Sequence, residues 1–276
     1  MRKLKLITII VTAMIALNLT AAHAEEEAPL FPLPFTPDFT RGSGWGIALG
    51  LGVEYETAYA GSDEYEFELD PAGAIQWRKG NHLFSWEGLE LSWTTRQKDQ
   101  WYIQVELGLD EGREDSDSDD GRLDGLDDRD DEFTGSGELR YALDGKGRNY
   151  IGTRISVGDS DFGALGFLFA GHRFGSRQDG GGTEAILYAR FGDSDNLNRD
   201  FGVSPSEATT SGLAETDLDS GYRSSGVRVV DRRFVSEHIQ IVSGLELEYY
   251  SSDVRDSPIA REDFAAEVEL AILYHF

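Results

Sequence analysis

The chain has no cysteine among its 276 residues. That excludes a disulfide framework and a lipid anchor carried on a thiol. Beyond residue 24 there is no long apolar run, so nothing there can cross a membrane as a helix. Proline is scarce except in one stretch, where Pro29, Pro32, Pro34 and Pro37 make up four of the seven. Basic residues are also short, with 25 Lys and Arg against 51 Asp and Glu and a formal charge of −26. Such a chain does not seek nucleic acid or anionic head groups. Acidity on this scale can signal disorder. What is present argues otherwise: 32 glycines, many aromatics, and repeated alternation of apolar with small or charged residues.

The alternation is plainest at the C-terminal end. Phe264, Ala266, Val268, Leu270, Ile272, Tyr274 and Phe276 alternate with Ala265, Glu267, Glu269, Ala271, Leu273 and His275. A period of two puts the two sets on opposite faces of a strand. A wholly apolar strand face suits a closed barrel in lipid, where no sheet edge is left open. A last strand ending in Phe276 also resembles the signal read by the bacterial barrel-assembly machinery, which makes Phe276 a candidate assembly signal. At the other end, Arg2, Lys3 and Lys5 precede an apolar stretch and Ala22-His23-Ala24. Residues 1–24 therefore read as a signal peptide cleaved after Ala24. Residues 25–43, acidic and then Pro-rich, read as a periplasmic lead-in. Residues 44–276 are left for a barrel embedded in outer-membrane lipid.

The expected fold is all-β, a transmembrane antiparallel up-and-down barrel of about 12 strands, with 10 or 14 as alternatives. Trp45 to Tyr55 give the first strand, and Tyr65 to about Trp77 the second. Residues 82–95 read as a short hairpin bent at Glu87-Gly88. Trp101–Leu109, Leu139–Leu143 and Ile151–Val157 follow. Leu165, Phe167 and Phe169 mark an eighth strand, Ala185–Phe191 a ninth and Val227 with Val229 a tenth. Ile239–Tyr249 gives the eleventh. With the C-terminus in the periplasm, the long connections 110–132, 192–219 and 251–262 fall outside. The short ones, 78–81, 96–99, 144–147 and 175–182, fall on the periplasmic side. Long outside and short inside is the pattern of such barrels.

Four segments in order resemble the MltA-interacting protein/OmpV family of outer-membrane proteins. They are Tyr55-Glu56-Thr57-Ala58-Tyr59-Ala60-Gly61-Ser62-Asp63, Leu123-Asp124-Gly125-Leu126-Asp127-Asp128, Asp200-Phe201-Gly202-Val203-Ser204-Pro205 with Ser211-Gly212-Leu213, and Asp256-Ser257-Pro258-Ile259. The resemblance implies an outer-membrane barrel. It also implies scaffolding between a lytic murein transglycosylase and a murein synthase. It carries no catalytic residue set.

The residues suggest three functions in turn: a non-enzymatic scaffold of the cell envelope, a narrow cation-preferring channel, and a barrel enzyme. His82, His172, His238 and His275 have no Ser or Asp partner pattern, so no catalytic, cofactor or metal residue is assigned. The acidic run 110–132 reads as a solvated loop; its Asp115–Gly121 stretch fails as a calcium loop because Leu126 stands where a bidentate Glu belongs. Strand alternation points Glu54, Glu246, Glu248, Glu267 and Glu269 into the lumen as an acidic wall. It points Arg140, Arg154, Arg190 and Arg228 inward from the sixth to tenth strands as a basic wall. Facing walls of opposite charge would set a transverse field across a pore. The same residues would instead plug a narrow barrel if they paired.

Overall fold

The computed structural model describes residues 43–276, apart from 98–99, 111, 145–146, 160 and 175–180. The signal peptide expected over 1–24, nearly all of the lead-in and the tips of three short turns lie outside the described residues. Twelve strands form the wall. They are β1 (Gly44–Thr57), β2 (Tyr65–Lys79), β3 (His82–Glu87), β4 (Glu90–Gln97), β5 (Trp101–Asp110) and β6 (Glu132–Ala142), then β7 (Asn149–Val157), β8 (Ala164–Phe174), β9 (Gly182–Gly192), β10 (Gly221–Phe234), β11 (Ile239–Tyr250) and β12 (Phe264–His275). Each pairs antiparallel with its neighbours in sequence, and β12 closes on β1. The closing ladder runs from Ala48 opposite His275 to Tyr55 opposite Val268. Phe276 adds one more bond, its N–H donating to the Ile47 carbonyl at 3.0 Å.

Alternation decides which side chain meets lipid. Leu49, Leu51, Val53, Leu107, Ile155, Leu187 and Ile272 are exposed on the outer face. Their sequence neighbours Ala48, Glu106, Ser156, Ile186 and Ala271 are buried inside. Aromatic rings gather at both ends of this apolar belt. Trp45 with Trp77, Trp101 with Tyr141, and Tyr274 with Phe276 form one girdle. Tyr55 with Tyr65 and Phe67, and Phe191 with Tyr222, form the other. Such girdles sit at the two head-group levels of an outer-membrane barrel. The first girdle lies at the end of the short turns, which is the periplasmic end.

The β3–β4 hairpin is much shorter than the strands beside it. It turns at Gly88, whose φ of 53° needs no Cβ strain. Its ladder with β2 runs only from Lys79 to Ala74, so Tyr65–Gly73 of β2 pair with β1 alone. On the far side the β4–β5 ladder stops at Leu91 opposite Leu107, and Gly108–Asp110 pair with β6 alone. The wall therefore has a gap above the hairpin tip.

The topology makes a labelling prediction. A cysteine introduced at Asp119 should react with a membrane-impermeant maleimide on intact cells. One at Gly80 should react only after permeabilisation, and the reverse pattern would overturn this orientation.

Candidate functional site

The lumen has two unlike halves. Near the periplasm much of it is packed by side chains of its own wall. Leu83, Tyr102 and Ala142 make one buried apolar cluster there, and Val230, Val242 and Ala271 another. Polar side chains between them are bonded to each other. Gln76 donates to Ser85 at 3.2 Å, Thr94 to Gln104 at 3.2 Å and Gln104 to Glu106 at 2.9 Å. The ring of His275 meets Gln240 at 3.1 Å. Arg140, only 1% exposed, is ion-paired with Glu138 and stacked 4.9 Å from the Tyr150 ring centre. The Tyr150 hydroxyl donates to Glu184 at 2.8 Å, and Arg173 lies 3.8 Å from the same carboxylate. Gly171 makes this packing possible, because a Cβ there would overlap the Tyr150 ring.

Higher in the barrel the charged residues singled out from the alternation come together in part. Arg190 of β9 spans β10 and pairs with Glu246 at 2.8 Å and Glu248 at 2.7 Å on β11. Its guanidinium also lies over Tyr188 and Phe167, at 4.8 and 5.0 Å. Arg228 reaches Glu246 at 3.5 Å and Glu269 at 3.7 Å. Arg154 and Arg140 do not meet those acids. They pair with Glu106 and Glu138, which the pattern reading had not singled out. Two of the four arginines thus pair with acids of β11 and β12, and two with carboxylates of β5 and β6.

Acid remains in excess on the strands around the closure. In register, Glu54 lies opposite both Glu269 and Glu68, Glu56 opposite Glu66, and Glu246 opposite Glu267. Residues directly opposite share a face. Glu54, Glu56 and Glu267 each bring a carboxylate oxygen within 4.8 Å of the others, so among the described residues they form a group that could hold a cation. Glu56, Glu66 and Glu68 follow from the same alternation that gives Glu54, but they sit where strand merges into loop.

β8 breaks the apolar-out rule. Phe167 lies opposite Arg154, so its ring faces the lumen, and Phe169 is buried with Tyr150, Ile186 and Tyr188. Leu168 and Phe174 take the lipid side instead. Both faces of this strand are apolar, which is why alternation alone cannot orient it.

The outer end is closed by loops that fold on each other. Helix α1 (Ser194–Phe201) starts at Asp193, whose carboxylate accepts from the Asn196 N–H. Helix α2 (Pro205–Ser211) has Pro205 in its first turn, a reciprocal Ser204–Glu207 capping box and a left-handed Gly212 at its end. Helix α3 (Ser252–Arg255) is one turn capped by Ser251. Phe201, fully buried, sits between Tyr250 at 5.6 Å and the Arg223 guanidinium at 5.1 Å. Leu197, Leu218 and Val254 complete that cluster. A second one joins Tyr59, Leu123, Leu126, Val203 and Ile259. One residue or more comes from each of the four family-like segments, which lie far apart in sequence.

The acidic loop 110–132 is therefore tied down rather than simply solvated. Leu123 and Leu126 anchor it, and Arg113 and Arg129 exchange backbone bonds of 2.9 and 2.7 Å. The Arg113 side chain donates to the Asp200 carbonyl at 2.9 Å. At its far reach the Asp119 N–H donates to Glu64 at 2.9 Å. Buried Glu207 is the hub. It accepts from the Ser204 and Asp127 N–H groups at 2.7 and 3.1 Å and pairs with Arg129 at 3.1 Å. Burial alone would raise this carboxyl, but these donors hold it below the ordinary range.

Among the described residues, cavities lie under the cap and beside it. A vestibule of about 670 Å³ is lined by eleven Asp or Glu and three Arg, so its field attracts cations. A pocket of about 250 Å³ lies against the inward rings of β8. The third, of about 540 Å³, lies at the gap above the β3–β4 hairpin.

A closed antiparallel barrel with a lipid-facing apolar belt, aromatic girdles and a charged, capped lumen is a transmembrane barrel of the outer-membrane kind. The family model described as MltA-interacting protein MipA matches residues 49–276, and the chain belongs to that family. Among solved structures it is similar to a bacterial polysaccharide outer membrane secretin, at 11% identity over 85% of this chain and 99% of that one, with a TM-score of 0.47. The Pseudomonas putida toluene transporter TodX matches at 9% identity over 92% and 94%, with a TM-score of 0.41. The CymD monoaromatic hydrocarbon channel matches at 10% over 85% and 89%, with a TM-score of 0.42. Likenesses this remote carry no functional argument. No curated protein matched the chain.

Two variants test this description. Glu246→Gln with Glu248→Gln removes both carboxylates of Arg190 and should destabilise the barrel by about 3–5 kcal/mol, read as a lower urea midpoint. Glu207, held low, stabilises the cap above its ordinary titration near about pH 4.3, and that contribution is lost as pH falls through the folded value. Amide protection at Ser204 and Asp127, corrected for intrinsic exchange, should exceed that of Glu207→Gln at neutral pH by about 1–3 kcal/mol. The difference should vanish in acid; a difference independent of pH would refute the role of the carboxylate.

Proposed function

We propose that this barrel is a non-enzymatic scaffold of the outer membrane that presents surfaces to murein-remodelling proteins and does not conduct solutes. The observation that carries this reading is the periplasmic half of the lumen. There Leu83, Tyr102, Arg140, Tyr150 and Gln76 are each less than 5% exposed, so side chains of the wall pack much of the space a solute would cross. The name of the family points to the partner, a lytic murein transglycosylase, and the resemblance adds a murein synthase. The surfaces offered on that side are the short turns, such as Lys79–Asn81 and Ser236–His238. Phe276, 74% exposed at the girdle, serves assembly in this reading.

The acidic vestibule supports the second reading, a cation-preferring passage. Planar-bilayer recording separates the two. The scaffold reading expects no unitary conductance from the purified barrel. It also expects a lytic transglycosylase to co-purify after crosslinking from cells. Steady, cation-selective steps would replace it with the channel.

A further inference from the structure

The cavity at the gap in the wall and the pocket behind it share lining residues. The 540 Å³ cavity is bounded on the lipid side by Pro71, Gly73 and Leu89, and on the lumen side by Arg154 and Arg228. It shares Glu90, Leu109, Arg154 and Arg228 with the 250 Å³ pocket, which is walled on one side by Phe162, Phe167, Phe169 and Tyr188 and on the other by charged side chains that include Glu106, Arg190 and Glu246. The two cavities thus lie one behind the other, from the membrane face to the ring-walled chamber.

The gap is framed on every side. The sill is the hairpin tip Glu87–Glu90, and the jambs are β2 and the end of β5. The acidic loop, tied to Glu64 through Asp119, crosses above as a lintel. It also opens at membrane depth. Phe67 and Leu69 on the β2 jamb are 72% and 71% exposed and belong to the lipid-facing belt. A sheet edge left unpaired in hydrocarbon is costly, because its backbone groups find no donors or acceptors there. Such an edge is tolerated where it lines a wet or polar opening. Pro71, which has no N–H to leave unpaired, stands on this edge.

We propose that this opening is a lateral port through which a small membrane-soluble molecule reaches the aromatic chamber. The chemistry specifies its class. The inward rings of β8 and β9 favour an aromatic or alicyclic ring. The charged side chains at the throat are balanced, with Glu87, Glu90 and Glu269 against Arg154, Arg228 and Arg232. That selects a ligand without net charge that carries a hydrogen-bonding group. The port rests on the wall geometry and holds whether or not the barrel scaffolds murein enzymes.

The test uses the whole barrel in phosphatidylcholine vesicles with 3-trifluoromethyl-3-phenyldiazirine, a membrane-soluble ring that inserts where it lies when irradiated. Peptide mass spectrometry locates the adducts. Leu168 and Leu187 face lipid and serve as internal controls beside the lumenal Phe167 and Tyr188. The wild type should be labelled on both sets. Ala72→Trp, at the mouth, should lose the lumenal adducts and keep the lipid-side ones. Leu89→Trp, on the exposed sill, should do the same and guards against misfolding of the first variant; heat-modifiable migration reports folding. Wild-type barrel with no lumenal adducts would overturn the proposal. So would folded variants whose lumenal adducts persist, since the probe would then arrive through the cap.

Discussion

In a bilayer no water is present to satisfy a backbone N–H or C=O, and everything else in this molecule answers to that constraint. The β1–β12 ladder satisfies it by joining the two ends of the sheet. Closure then imposes the period of two, with lipid on one face and a lumen on the other. The lumen must be filled or wetted, and this chain does each in a different half. The bare edge of β2 is the exception that locates the port, because it is the longest stretch of wall without a second partner among the described strands.

Filling a lumen with charge demands local pairing, since a buried ion without a partner costs several kcal/mol. Arg140 and Arg154 meet that demand from β5 and β6, while Arg190 and Arg228 draw on β11 and β12. No acid wall therefore faces a bare basic wall. The surplus carboxylates gather around the closure and under the cap, where they line the vestibule. Net acidity that looked like a global property of the chain is in this way concentrated at the outer end.

The barrel was legible because its signal is periodic and repeated. Strand number, the short hairpin over 82–95 and the long outer connections all follow from alternation and turn residues. The inward glutamates and arginines follow from the same rule. Their partners do not, because pairing depends on register between strands, and a sequence does not print register. β8 was legible as a strand but not in its orientation: with Phe167 and Leu168 adjacent, neither face is polar. The cap escaped because its core is built from single apolar residues such as Leu123, Val203 and Ile259, each set in an acidic or polar loop. One apolar residue per loop has no period to detect.

That cap also explains why the outer loops are long. Helices of four to eight residues are not stable alone, so α1, α2 and α3 must borrow stability from packing. Phe201 provides it by seating on Tyr250, the last residue of β11, whose hydroxyl accepts the Gly61 N–H at 3.2 Å. Gly61 in turn has a φ of 86°, and a Cβ there would crowd Ala260 and Phe201. The cap is thereby bolted to the wall beside the closure, and the acidic loop is bolted to the cap through Glu207. Since that loop is also the lintel of the port, the position of the lintel depends on the packing of residues far from it in sequence. Loosening the cap core would change the height of the opening without touching any residue that lines it. The packing of the cap and the unpaired edge of β2 are in this way linked through one loop, so a change at the outer surface reaches the wall at membrane depth.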